Sequence, residues 1–308
     1  MDRPRGLAFY ALGVFFGLFV LFLYGPTLTI LVLSFQGPEG GLTFPLNGVS
    51  THWFSKLWQG LGVVDIWAAL SRSLRLGLAV MLLTVAIAFF AGLAFRKHFR
   101  GEGLLFTLAI ASLIVPSIVV SLGIGLEFRL IDDGVNALAA ATGWGWLQDH
   151  GTLMGLSTSA LGAHLTWTLP FGLLIMFAVF NRFDPAYEEA ARDLGASGAQ
   201  TLAHVVVPIL APSLVGVALF GFTLSFDELA RTSQAIGGRN TLPLELQGLT
   251  TTVTTPEIYA LGTLTTAVSF AVIVTALALT LWLQGRRARR GLIAAPAVSP
   301  PVAARPRP

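Results

Sequence analysis

Residues 184–208, DPAYEEAARDLGASGAQTLAHVVVP, form a polar segment between two long apolar blocks. Asp184 is suited to accept a hydrogen bond at a helix N-terminus, and Pro185 fits the first helical position. Gly195 can end that helix in a left-handed conformation, and Ser197 can cap the next one. This punctuation predicts a short helix, a tight turn, and a second helix that continues into the following apolar block.

The first predicted helix covers residues 185–194, and the second starts near residue 198. Ala186 and Ala190 place small side chains on one face of the first helix. Glu188 and Arg192 lie on the opposite face at a spacing that allows them to pair. A small-residue face beside an acidic ridge suits docking in a groove of another protein. A solvated loop with helical character is the alternative.

The composition is that of a membrane protein. Of the 308 residues, 54% are hydrophobic and 11% are charged, whereas a soluble domain is nearer a quarter charged. Cysteine is absent from the sequence, which excludes disulfides, thiolate catalysis and thiolate metal sites. The net charge of +3 would suggest nucleic acid if taken alone. Its distribution between segments points to the membrane, and we expect no nucleic-acid partner.

Six apolar blocks reach the roughly 20 residues that a helix needs to cross the hydrocarbon core of a bilayer. They cover residues 7–35, 74–95, 104–126, 156–180, 209–230 and 259–284. The sequence therefore predicts an all-α polytopic membrane protein with six transmembrane helices. We expect residues 1–285 to form the membrane domain and residues 286–308 a basic, disordered tail.

Basic residues divide unequally between the two sides of this topology. The side that holds both termini and the 184–208 loop contains 13 of the 19 lysines and arginines. The positive-inside rule therefore predicts that both termini and this loop are cytoplasmic. Ten of the 16 acidic residues fall on the other side, which predicts an acidic outer surface.

Carboxylates near the outer ends of the spans are candidates for a translocation path. Asp227 and Glu228 lie near the outer end of the fifth block, with Arg231 four residues after Asp227. They either form an interfacial Asp227–Arg231 pair or place a carboxylate where it attracts a cation. Glu127, at the end of the third block, is a further candidate for the path.

Other residues in the spans have simpler interpretations. His164 lies within the fourth block, and we expect it to be buried and hydrogen-bonded rather than catalytic. Pro116 and Pro170 fall inside the third and fourth blocks, where a membrane helix tolerates a kink if its freed carbonyl is satisfied. Trp53 and Trp58 predict an amphipathic helix at the membrane interface.

No nucleotide-binding or hydrolytic motif is present. The sequence contains neither GxxxxGK[ST] nor HExxH nor GxSxG. Any ATP that drives the protein would therefore be bound by another subunit. We predict no catalytic residue, no metal site and no cofactor in this chain.

The spacing within residues 184–208 resembles the EAA loop of bacterial ABC importer permeases. That loop has Glu-Ala-Ala, three residues, glycine, nine residues and then Ile-x-Leu-Pro. Val205 and Val207 replace the isoleucine and leucine here, before Pro208. The resemblance implies a type I permease fold with a cytoplasmic EAA coupling helix that fits into a cleft of an ATPase. The residues that it implies contact the ATPase are Glu188, Glu189, Ala190, Ala191, Asp193, Gly195 and Pro208.

This resemblance also implies partners and a location. The partners are a second permease subunit, a dimer of ATP-binding cassette ATPases, and a periplasmic or extracellular substrate-binding protein. The location is the lipid bilayer of a bacterial inner (plasma) membrane.

A narrower resemblance concerns the substrate. Ser225-Phe226-Asp227-Glu228, Gly237-Gly238 and Thr241-Leu242-Pro243-Leu244 resemble the spermidine/putrescine permease subfamily, which implies a polyamine. Related permeases for iron(III), sulfate-type anions or aminoethylphosphonate share much of this pattern and remain alternatives. An ion-coupled secondary transporter and a membrane scaffold are the alternatives from other classes.

Overall fold

The computed structural model describes residues 6–60, 64–148, 151–252 and 255–289, and this part of the chain is almost entirely helical. Two π-helical turns, Leu156–Ala160 and Leu202–Val206, lead directly into α7 and α10. The helices are α1 (Leu7–Leu33), α2 (His52–Gln59), α3 (Ile66–Phe95), α4 (Glu102–Ala111), α5 (Ser117–Thr142), α6 (Gly145–Gln148), α7 (Leu161–Phe180), α8 (Ala186–Asp193), α9 (Gly198–Thr201), α10 (Val207–Phe226), α11 (Ala230–Ser233), α12 (Leu242–Thr252) and α13 (Glu257–Arg289).

Among the described residues, five helical segments are long and apolar enough to cross a membrane. They are Leu7–Leu33, Ile66–Phe95, Leu156–Phe180, Gly198–Phe226 and Glu257–Gly285. Each corresponds to one of the predicted spans. The second span begins at Ile66, eight residues before its predicted start, because the helix continues outward through its polar first turns.

The third predicted span, 104–126, is not one helix. It is divided between α4 and α5, and the helical ladder is interrupted between Ala111 and Ser117. Pro116 causes the break because it lacks an N–H, and its ψ of 132° is extended. Pro170, in contrast, lies inside α7 without ending it. The segment that follows Pro116 remains helical to Thr142, well beyond the predicted end of the span.

Helices α3, α7 and α10 form the centre of the molecule. A Cβ atom added at Gly172 would lie 2.9 Å from Cγ2 of Thr84 and 3.0 Å from Cβ of Ala88, so only glycine allows α7 to approach α3 this closely. The hydroxyls of Thr84 and Thr168 are joined by a buried hydrogen bond of 2.7 Å. Small residues and one internal polar contact therefore fix this packing. Helix α1 lies at the edge of the molecule, against α13.

Segments that the topology assigns to the outer side contact one another. Lys56 of α2 pairs with Glu257 at the start of α13. The Tyr259 hydroxyl donates to the carbonyl oxygen of Leu42 at 2.8 Å. These contacts gather the 36–60 segment and the start of α13 at one end of the bundle, in agreement with the predicted division of the loops.

Two predictions about the periphery need correction. Trp53 is only 4% exposed and packs into the core with Leu57, so it does not anchor α2 at the membrane interface. Trp58 is 74% exposed and contacts Trp67, and its position at the membrane interface stays a prediction. Helix α13 continues to Arg289, past the predicted start of the tail at residue 286. The remainder of the predicted tail lies outside the described residues.

Candidate functional site

Helix α8 (Ala186–Asp193) begins within one residue of its predicted start. The backbone N–H of Ala186 donates to Oδ1 of Asp184 at 2.9 Å, which satisfies a donor that the first turn leaves free. Pro185 already has helical backbone angles, with φ −59° and ψ −24°. Asp184 and Pro185 thus determine the direction in which the chain leaves the fourth span.

The C-terminus of α8 is a Schellman motif. Gly195 has a φ of +85°, in the left-handed region. Its N–H donates to the carbonyl of Arg192 at 2.8 Å, and the N–H of Ala196 donates to the carbonyl of Ala191 at 3.0 Å. These two bonds satisfy the last carbonyls of the helix and confirm the predicted turn.

The next helix starts with a capping box. The Ser197 Oγ accepts from the backbone N–H of Gln200 at 3.3 Å, and Gln200 Oε1 accepts from the backbone N–H of Ser197 at 2.8 Å. Helix α9, the second π-helical turn and α10 then follow without a break. Pro208 lies in the first turn of α10 and is exposed. The loop therefore connects α8 directly to a membrane-crossing segment.

Glu188 joins α8 to the ends of two spans. Its carboxylate accepts from Arg192 at 3.0 Å, as predicted, and from Arg96 at 2.5 Å. The Arg96 guanidinium also lies 5.6 Å from the ring of Phe180 and 5.3 Å from that of Phe183. No local pattern in the sequence indicates the Arg96 contact, because Glu188 is 92 residues away from Arg96. Helix α8 is thereby attached to the end of α3 and the end of α7.

The rest of α8 faces away from the bundle, and none of its residues is buried. Tyr187 is 55% exposed, and Leu194, at the end of the helix, is 89% exposed. Among the residues predicted to contact an ATPase, the exposed ones are Glu189, Ala190, Asp193, Gly195 and Pro208, while Glu188 and Ala191 are half-buried. A large apolar side chain beside exposed carboxylates provides a surface for a protein partner.

The three candidate path carboxylates lie in different environments. Asp227 follows the last residue of α10 and is exposed, and Glu127 is exposed on α5. Glu228 is half-buried, and its Oε1 accepts from the backbone N–H of Arg231 at 2.8 Å. Of the three carboxylates, Glu228 thus caps a backbone N–H, whereas Asp227 and Glu127 are exposed.

The interpretation of Asp227 and Arg231 as an interfacial ion pair is wrong. Helix α10 ends before both residues, so their four-residue spacing does not bring them onto one helical face. Arg231 is fully buried. Its Nη1 donates to the Thr166 hydroxyl, its Nη2 donates to the Ser112 carbonyl at 3.2 Å, and its guanidinium lies 4.9 Å from the ring of Trp167. Arg231 thus satisfies a carbonyl that the break between α4 and α5 leaves free.

His164 is buried and hydrogen-bonded, as predicted. Its Nδ1 lies 2.8 Å from the Ser225 hydroxyl, and its Nε2 lies 2.8 Å from the Thr232 hydroxyl. The Thr232 hydroxyl donates to the carbonyl of Glu228 at 2.6 Å, so it accepts from Nε2–H of His164. Nδ1 then accepts from Ser225. Both ring nitrogens are occupied, which gives His164 a structural role that links α7, α10 and α11.

The architecture defines the class of protein as an all-helical membrane protein with several spans. A bacterial ABC transporter involved in the import of the acidic polysaccharide alginate superposes with a TM-score of 0.62 at 15% sequence identity. The alignment covers 90% of this chain and 99% of that one. At this level of identity the similarity concerns the fold alone.

The sequence then assigns the family. Residues 84–290 match the family described as binding-protein-dependent transport system inner membrane component, and the chain belongs to this family. It is therefore a transport subunit rather than an enzyme, and the predicted resemblance to ABC importer permeases is confirmed.

Curated relatives cover most of the chain. The spermidine/putrescine transport system permease protein PotC of Haemophilus influenzae is 27% identical over 267 residues, which are 86% of this chain and 95% of that protein. PotC of Escherichia coli K12 is 25% identical over 255 residues, covering 82% and 87%. The putrescine transport system permease protein PotI of the same organism is 27% identical over 246 residues, covering 79% and 81%.

Proposed function

We propose that this chain is one of two permease subunits of a bacterial ABC importer for a polyamine such as spermidine or putrescine. A separate ATPase dimer binds and hydrolyses the ATP, and a substrate-binding protein delivers the polyamine from outside. The chain crosses the inner membrane with both termini and the 184–208 loop in the cytoplasm. The distribution of basic residues supports this orientation.

The observation that carries the proposal is the attachment of α8. Its outer face is free, while Glu188 ties it to Arg96 at the end of α3. Through the capping box at Ser197 it is also continuous with α10. A displacement of α8 by an ATPase would therefore move the central helices as a rigid body. In this mechanism Glu188, Glu189, Ala190, Ala191, Asp193, Gly195 and Pro208 transmit the movement, and the chain itself makes or breaks no covalent bond.

Three observations support a cationic substrate. The curated relatives PotC and PotI are named as polyamine permeases. The outer segments carry more acidic than basic residues. Asp227 and Glu127 are exposed carboxylates, which attract a cation to the surface where it enters.

Uptake by the complete transporter tests the substrate. The two permeases, the ATPase and the binding protein are reconstituted in liposomes, and uptake of labelled spermidine is measured against iron(III) and aminoethylphosphonate. We expect spermidine uptake alone to depend on ATP and on this chain. Uptake of iron(III) or the phosphonate with none of spermidine would contradict the proposal.

The same assay tests the translocation path. We expect Asp227→Asn to raise the KM for spermidine severalfold, because a carboxylate that attracts the cation is lost. Glu228→Gln also removes a charge, and its carbonyl oxygen can still accept from Arg231. If both variants keep the uptake kinetics of the natural chain, these carboxylates do not line the path.

A further inference from the structure

A cavity of about 340 Å³ lies beside the attachment of α8, where α3 and α7 end and α4 begins. Its size is in the range of small-molecule sites. Its inner wall is aromatic, and its rim is polar. The wall is formed mainly by Phe95, Phe106, Phe177 and Phe180, and the rim by Arg96, His98 and Glu102.

Two exposed cations adjoin the rim residues in the sequence. Lys97 and Arg100 are exposed on the connection between α3 and α4, and neither has an ion pair within the described part of the chain. The acidic rim residue, Glu102, is hydrogen-bonded to His98 at 2.9 Å. That bond raises the pKa of His98 and lowers the pKa of Glu102. Lys97 directly follows the rim residue Arg96, and Arg100 lies between the rim residues His98 and Glu102, so both cations are close to the mouth of the cavity along the chain.

The cavity lies at the depth of a bilayer interface. Helices α3 and α7 are both spans, and each changes from apolar to charged residues at this level. The aromatic wall continues the hydrocarbon layer, and the cations lie where lipid phosphates are found. A free inorganic anion would satisfy the cations but would leave the aromatic wall without a ligand.

We propose that this cavity binds an anionic phospholipid, with an acyl chain against the phenylalanine wall and its phosphate near Lys97 and Arg100. Under the orientation proposed above, the lipid comes from the inner leaflet. Arg96 connects the site to the coupling helix, because it lines the cavity and bonds to Glu188. A lipid bound in the cavity would therefore hold Arg96, and through Glu188 also α8, in the position from which α8 contacts the ATPase.

Native mass spectrometry of the purified transporter complex tests the site. The complex is titrated with phosphatidylglycerol and with phosphatidylcholine of the same acyl chains. We expect phosphatidylglycerol to bind at least about tenfold more tightly. The double variant Lys97→Ala/Arg100→Ala is expected to lose that preference. The matched control Arg286→Ala/Arg287→Ala removes two charges from the end of α13 and is expected to retain it.

A second variant fills the cavity without changing charge. Gly103 lines the cavity, and a Cβ atom there would meet no atom within 4 Å, so Gly103→Leu is compatible with folding. We expect it to abolish the tight phosphatidylglycerol site. Gly13→Leu adds the same side chain to α1, where the space is also open, and is expected to leave lipid binding unchanged.

The results that would overturn the proposal are equal affinities for the two lipids in the natural chain, or unchanged phosphatidylglycerol binding in Gly103→Leu. Displacement of the lipid by inorganic phosphate at matched concentration would assign the site to a soluble anion and would also overturn it. The measurement does not use transport. Failure of the polyamine proposal would therefore show in the uptake assay and leave lipid binding unaffected.

Discussion

At the scale of single residues, Gly195 determines the direction in which the chain leaves α8. Its φ of +85° lies where a side chain is strained, and an added Cβ would meet no other atom within 4 Å. The restriction is therefore one of backbone conformation and not of space. A β-branched residue at this position is disfavoured by about 1–2 kcal/mol.

We predict that Gly195→Val uncouples the transporter. The Schellman motif opens, α8 loses its orientation, and stimulation of ATPase activity by the binding protein falls to the basal level. Gly216→Val in α10 is the matched control, because it adds the same side chain in open space without a positive φ. Full stimulation in the Gly195→Val complex would count against the role of this turn in coupling.

Glu188 and Glu189 are adjacent carboxylates with different expected roles. Glu188 holds Arg96 and Arg192, with its side chain 13% exposed, whereas Glu189 is exposed on the free face of α8. We predict that Glu188→Gln lowers the free energy of unfolding of the purified chain by roughly 1–2 kcal/mol. Glu189→Gln is expected to leave it unchanged within about 0.5 kcal/mol. Thermal unfolding in detergent distinguishes them, and equal losses would refute this division of roles.

The helix caps and the turn around α8 are predictable from the sequence because each depends on residues that are close in the sequence. Asp184, Gly195 and Ser197 each act within three residues of themselves. The predicted pairing of Arg231 with Asp227 is wrong for the converse reason. Arg231's partners Thr166 and Ser112 are 65 and 119 residues away, and no local pattern indicates them.

At the scale of helices, the centre of the bundle depends on close approach between α3, α7 and α10. Gly172 permits this approach, since its missing side chain leaves room for Thr84 and Ala88. Gly162, on the same helix, faces open space. Substituting each glycine by the same residue therefore distinguishes the effect of packing from that of helix propensity.

We predict that Gly172→Val destabilises the purified chain by about 1–3 kcal/mol, because the added methyl groups force α7 away from α3. Gly162→Val is expected to cause no loss. The free energy of unfolding from denaturant titration checks both values. Equal stability of the two variants would show that the contact between α3 and α7 is not tightly packed.

Apolar blocks predicted where helices lie but not whether each is continuous. The fifth and sixth blocks, 209–230 and 259–284, match helices α10 and α13 to within about five residues at each end. The third block instead contains the break before Pro116. Hydropathy measures composition over a window and is insensitive to a missing hydrogen bond. The carbonyl of Ser112, which the break leaves without a helical partner, accepts a hydrogen bond from Arg231, and Arg231 lies on a distant segment of the sequence.

At the scale of the whole molecule, the contacts divide the connections into two groups. The connection that follows α3 contacts α8 at one end, and α2 contacts the start of α13 at the other. The positive-inside rule assigns the first group to the cytoplasm. The account as a whole depends on α8 meeting an ATPase in the cytoplasm.

Site-specific photo-cross-linking of the assembled transporter in membranes tests that dependence most directly. A photoreactive phenylalanine analogue replaces Leu194, which is 89% exposed at the end of α8, or Trp146, which is 72% exposed on α6. We predict that position 194 forms a covalent adduct with the ATPase subunit and that position 146 does not. An adduct between position 194 and the substrate-binding protein, or an ATPase adduct from position 146 alone, would contradict the account.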